Sequence, residues 1–137
     1  MKNNQRGLSS IGWLVVLSIA SIIITCTVKM VPAYADDRYV VDALKTLVKN
    51  NPDLASLKEV QIKSQLGKYL AINSVNSAAE NSFEVKKRRG GVVVNSIYEV
   101  RVPIIINIDV VMTFKHQLDT QNASACCKYI VKEVDES

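Results

Sequence analysis

Leu8-Ser-Ser-Ile-Gly-Trp-Leu-Val-Val-Leu-Ser-Ile-Ala-Ser-Ile-Ile-Ile-Thr-Cys-Thr-Val28 is the stretch on which the architecture turns. It lies within 22 consecutive residues, between Arg6 and Lys29, that carry no formal charge. As a helix rising about 1.5 Å per residue it would measure roughly 32 Å, enough to cross a hydrocarbon core of about 30 Å. In lipid the backbone must satisfy itself, so even the β-branched Ile22-Ile23-Ile24-Thr25 is predicted to be helical despite its modest propensity in water. Composition alone thus excludes a purely soluble protein. The rival reading is a cleaved secretory signal, and Ala33-Tyr34-Ala35 fits its Ala-x-Ala pattern, but the run exceeds the usual h-region of about 7–15 residues.

Charge on either side of the run sets the expected orientation. Lys2 and Arg6 precede it, whereas Lys29 and Arg38 are mixed with Asp36 and Asp37 after it. By the positive-inside rule, residues 1–7 form a basic cytoplasmic leader, 8–28 a transmembrane helix in the inner (cytoplasmic) membrane, and 29–119 a periplasmic head followed by a tail over 120–137. The chain has 137 residues and a net charge of +4. Three of the basic groups lie in the first 35 residues with no acid beside them, which leaves the head almost neutral. A basic domain that grips nucleic acid is therefore not expected. Lys86-Lys87-Arg88-Arg89 is the one concentrated basic run, and it reads as a solvated hairpin tip because no aromatic platform accompanies it. Gly12, Ser18 and Ser21 do not make a clean small-xxx-small repeat.

After the span, Val40, Val41, Leu44, Leu47 and Val48 recur at helical spacing, with Pro32 at the membrane exit allowing a kink or a fresh helix start. Asn50-Asn51-Pro52-Asp53 ends that helix. Ser56 with Glu59 reads as a capping box for a second helix ending near Gly67. The period then changes to two: Phe83 and Val85, then Tyr98, Val100 and Val102, then Ile108, Val110, Met112, Phe114 and Leu118 alternate with polar neighbours. Gly90-Gly91 joins the first pair of strands and Pro103–Asn107 the second. The predicted fold is α+β: an N-terminal transmembrane helix, two short helices and a small antiparallel sheet of about three strands. Ile104-Ile105-Ile106 is read as core packing, with docking of a partner as the alternative.

Chemistry is sparse. His116, the single histidine, falls on the apolar face of the third strand, and the sequence supplies no nucleophile and orienting acid to make it a base. Cys126-Cys127 with one distant histidine is not a zinc ligand set, so no metal and no cofactor is expected. Cys26 lies in the span and reads as apolar filler. Cys126 and Cys127 are the redox-sensitive candidates, as a vicinal disulfide, an intermolecular bridge or a free pair. There is no phosphate loop, nucleophile elbow or Cys-x-x-Cys, so no enzyme is expected.

Lys2-Asn3-Asn4-Gln5-Arg6-Gly7-Leu8 resembles the leader of type IV pilins and type II secretion pseudopilins. That resemblance implies cleavage by a prepilin peptidase between Gly7 and Leu8. The fifth residue after the cut is Gly12, where filament-core pilins usually carry glutamate. Gln5–Ser9, Gly12–Val16, Val31–Tyr34 and Tyr98–Pro103 are similar to a proteobacterial family of uncharacterised single-span membrane proteins, catalogued as domain of unknown function 4845. This likeness implies a short inner-membrane protein with a small extracytoplasmic head, and no catalytic residues. The expected partners are the lipid bilayer and another envelope protein, bound by the head or the span. The alternative is a minor pilin-like subunit, and a third reading is a thiol redox protein using Cys126 and Cys127.

Overall fold

A computed structural model describes residues 9–75 and 77–129. The chain opens with one unbroken helix, α1 (Ser10–Asn50), 41 residues long. Ser9 caps it, its hydroxyl accepting from the Gly12 N–H at 3.4 Å. Its lower half is apolar enough and long enough to cross a membrane, and the most apolar stretch is entirely uncovered. The polar residues there bond inside the helix. Ser18, Thr25 and Thr27 donate to the carbonyls of Leu14, Ser21 and Ile23 at 2.8–2.9 Å, which removes most of the cost of placing a hydroxyl in lipid.

Pro32 neither ends nor restarts the helix, so the span and the first head helix are one element. Its missing N–H frees only the Val28 carbonyl, at the end of the uncharged run. Asn51 terminates α1: its N–H and its side-chain amide both donate to the Leu47 carbonyl, and the amide also reaches Gln65 at 2.9 Å. Pro52 disfavours helix at the preceding residue.

A single 3-10 turn (Leu54–Ser56) leads into α2 (Glu59–Ile72). The expected Ser56/Glu59 box is replaced by Lys58 and Gln61, the Gln61 side chain accepting from the Lys58 N–H at 3.0 Å. The helix also runs past Gly67 instead of ending there. Glycine costs about 1 kcal/mol in a helix, whereas extending the Ile62, Leu66, Leu70 stripe buries a further leucine worth about 1.5–3 kcal/mol. A one-turn α3 (Ser77–Glu80) follows.

Four antiparallel strands in sequential order complete the head: β1 (Phe83–Arg88), β2 (Gly91–Ile105), β3 (Ile108–Asp119) and β4 (Cys127–Lys128). The sequence predicted three. Thr120–Ala125 folds as a 3-10 segment and β4 then pairs with His116 and Gln117, so this part of the expected tail belongs to the head. The first hairpin turns at Arg89-Gly90, with Gly90 at φ +83°. A Cβ on Gly91 would meet the Thr120 hydroxyl at 2.7 Å, and that hydroxyl accepts from the Val92 N–H. The core lies between α1, α2 and the upper sheet, built on Val40, Leu44, Leu47, Ile62, Leu66, Leu70, Val92, Val94 and Leu118.

β2 is much longer than β1. Its lower half pairs only with β3, so residues 97–105 and 108–115 form a two-stranded ribbon lying along α1. A register shift between Pro103 and Ile105 leaves Ile104 as the extra residue. The turn beyond it holds Ile106 at φ +37°, a conformation that strains a β-branched side chain by about 1–3 kcal/mol. The expectation that Ile104-Ile105-Ile106 packs in the core holds for Ile104 alone. Ile105 is 44% exposed and Ile106 96% exposed.

Candidate functional site

Ala33, Val40, Ala43, Leu44 and Leu47 make the buried stripe of α1, and Asp37 stands among them at the same helical spacing. A carboxylate there would be costly without partners. It has two: the Tyr98 hydroxyl donates to Asp37 Oδ1 at 2.9 Å, and His116 Nε2 pairs with the same oxygen. Tyr98 comes from β2 and His116 from β3, so Asp37 ties the helix to both strands of the ribbon. Aromatic packing closes the cluster. Phe114, opposite Tyr98 in the ladder, stacks on its ring at 5.3 Å, and Tyr34, one turn below Asp37, meets Phe114 edge-on at 5.6 Å.

Burial, reinforced by the hydrogen bond to Asp37 and by the charges of Asp37 and Asp36, pushes the Tyr98 phenol well above its ordinary value near 10. In the folded head this phenol stays protonated where the unfolded chain would release its proton, so unfolding becomes easier as pH rises above about 10. Spectrophotometric titration should therefore find one of the five tyrosines ionising only as sheet structure is lost. Tyr98→Phe should move the alkaline unfolding midpoint upward. An unchanged midpoint would contradict this account.

The cysteines lie beside the cluster. Cys126 and Cys127 are bonded to each other, and Cys127 is buried next to α1, its Sγ 3.9 Å from the Val41 carbonyl, one turn above Asp37. Cys26 is a free thiol further down α1. Gly7 and Leu8, the expected processing site, lie outside the described residues. The basic run ends at the Arg89-Gly90 turn, the end of the sheet opposite Ile106.

Chemically, the cluster is a hydrogen-bonded clip. No hydroxyl or thiol side chain is hydrogen-bonded to the His116 imidazole, and no group of three potential metal ligands converges, among the described residues. Removing the Asp37 carboxylate leaves a nearly buried phenol and an imidazole without their acceptor. Asp37→Ala should thus lower the stability of the head by about 1–3 kcal/mol in urea unfolding, and Asp37→Asn, which keeps an acceptor oxygen, by less. Equal losses for the two variants would show that the hydrogen bonds matter little.

Asp37 and Tyr98 were not singled out by sequence. The available signal was a single acid on the apolar stripe of a helix.

Fold and site together define a class: an α+β head continuous with a helix long and apolar enough to cross a membrane. The chain belongs to the DUF4845 family, a domain of unknown function, which it matches over residues 29–114. The matched region begins at Lys29, the first charge after the apolar run, and contains Asp37, Tyr98 and Phe114. The similarity seen at Gln5–Val16 lies outside it, as do His116, Cys126 and Cys127. No curated protein and no solved structure matches the chain.

Proposed function

We propose that this protein is a non-enzymatic, single-span inner-membrane protein, with its N-terminus in the cytoplasm and its head in the periplasm, and that it acts by binding another envelope protein. One observation carries the reading: the most apolar stretch of α1 is wholly uncovered by the rest of the chain, yet continues without a joint into the packed core of the head. Lipid is the natural solvent for the uncovered part. The charge bias around the run supports the orientation. A partner could engage the groove between α1 and α2, lined by Ala43, Leu47, Leu66, Tyr69 and Ile72.

Photoreactive residues at Thr46, Ile72 and along the span, irradiated in intact cells, should each report whether a protein adduct forms. Adducts with one envelope protein support the proposal. Adducts with lipid alone, or a C-terminal reporter active only in the cytosol, would overturn it. The pilin-like alternative draws support from the single long helix packed on an antiparallel sheet. It requires a mature N-terminus at Leu8, which mass spectrometry of the purified protein reads directly.

A further inference from the structure

The tip of the β2–β3 ribbon is built unlike the tip of a soluble hairpin. Seven residues from Val102 to Ile108 carry no charge, and Ile105, Ile106 and Ile108 are 44%, 96% and 62% exposed. Ile106 sits at positive φ, where Asn or Gly would relieve the strain. A strained, solvent-facing isoleucine opposes folding and invites aggregation in water, so the side chain is better explained by what it contacts outside the head.

Its height along α1 identifies that contact. Asp37 meets Tyr98, Tyr34 meets Phe114, and Lys29 Nζ donates to the Pro103 and Ile104 carbonyls at 2.9 and 3.0 Å. The ribbon therefore descends beside the helix towards the apolar run. Lys29 fixes it at the shifted register, whose carbonyls it satisfies. Eight helical residues, about 12 Å, separate Asp37 from Lys29, and six strand residues separate Tyr98 from Ile104. Ile106 lies two residues beyond Ile104, in the turn that closes the ribbon, past the Lys29 contact on the side of the uncharged run. Arg101 and Asp109, the nearest charged residues of the ribbon, stand above it.

We propose that Ile105, Ile106 and Ile108 insert into the head-side leaflet of the bilayer that α1 crosses, so that the head is held on the membrane at two points. This rests on the spanning reading of α1, and the test separates the two. The full-length protein is placed in phosphatidylethanolamine/phosphatidylglycerol vesicles with or without brominated acyl chains. Trp13, the one native tryptophan, reports the span in the unsubstituted protein. In a Trp13→Phe background, Ile106→Trp reports the tip, Ile108→Trp is a second reporter there, and Val60→Trp on α2 marks the far end of the head.

Brominated lipid should quench the tip tryptophans by about twofold or more, with blue-shifted emission, and leave the Val60→Trp signal unchanged. Quenching of Trp13 without quenching at the tip overturns this inference and leaves the span intact. A blue-shifted tip signal that bromine does not quench identifies a protein surface, such as a second copy, in place of lipid, and also overturns it. Absence of quenching at Trp13 removes the span and the inference together.

Discussion

Replacing Ile19 and Ile23 together with aspartate should move the protein out of the carbonate-resistant membrane fraction. The two side chains are exposed, one helical turn apart, near the middle of the uncharged run. Near the centre of a spanning helix, isoleucine contributes about −0.3 to −0.6 kcal/mol to insertion, whereas aspartate costs about 2.5–3.5 kcal/mol. The pair therefore loses about 6–8 kcal/mol, a large part of what an apolar run of this length supplies. Neither residue touches the head core, so the head itself should still fold. Ile19→Leu with Ile23→Leu should leave partitioning unchanged. Retention of the aspartate variant in the carbonate pellet would show that something other than α1 holds the protein there.

Leu44→Ala should produce the largest loss of stability in the head. Leu44 is fully buried on α1 where helix, α2 and sheet meet. Its truncation removes buried methyl groups and leaves a cavity, at a cost of about 2–5 kcal/mol. For a head of this size that lowers the melting temperature by about 10–30 °C. Thermal circular dichroism in detergent follows the loss of β signal. Val60→Ala, at a site 76% exposed, should stay within about 0.5 kcal/mol of the parent. A Leu44→Ala protein that melts with Val60→Ala would place the core elsewhere.

How much of this could be read beforehand depended on the range of the forces involved. That the run forms a helix long and apolar enough to cross a membrane was legible because length and absence of charge are both local properties. The alternation of Phe83 and Val85, and of Tyr98, Val100 and Val102, was legible because a sheet with one buried face imposes period two. Helix ends were harder: Ser56/Glu59 satisfies the local capping rule, yet α2 starts at Glu59 with only the Gln61 side chain accepting from the Lys58 N–H, half of a box that no sequence pattern announces. Gly67 looked like a stop because the reward for continuing, burial of Leu70, comes from the rest of the core. β4 has two residues, too few to show a period. The site was least legible. Asp37 meets Tyr98 across 61 residues and His116 across 79, and nothing near Asp37 announces those partners. The fate of Ile104, Ile105 and Ile106 likewise depended on a one-residue register shift that composition does not reveal.

The missing joint at Pro32 makes α1 a lever. Its 41 residues form a rod about 60 Å long, and the distance from the end of the apolar run to Asn50 is about 33 Å. A tilt of about 10° in the lower arm, such as a thinner bilayer imposes, would swing the upper end by about 6 Å. With the apolar run seated in a bilayer as proposed, changes in membrane thickness would therefore reach α2 and the groove beside it as displacement, with no hinge to absorb them.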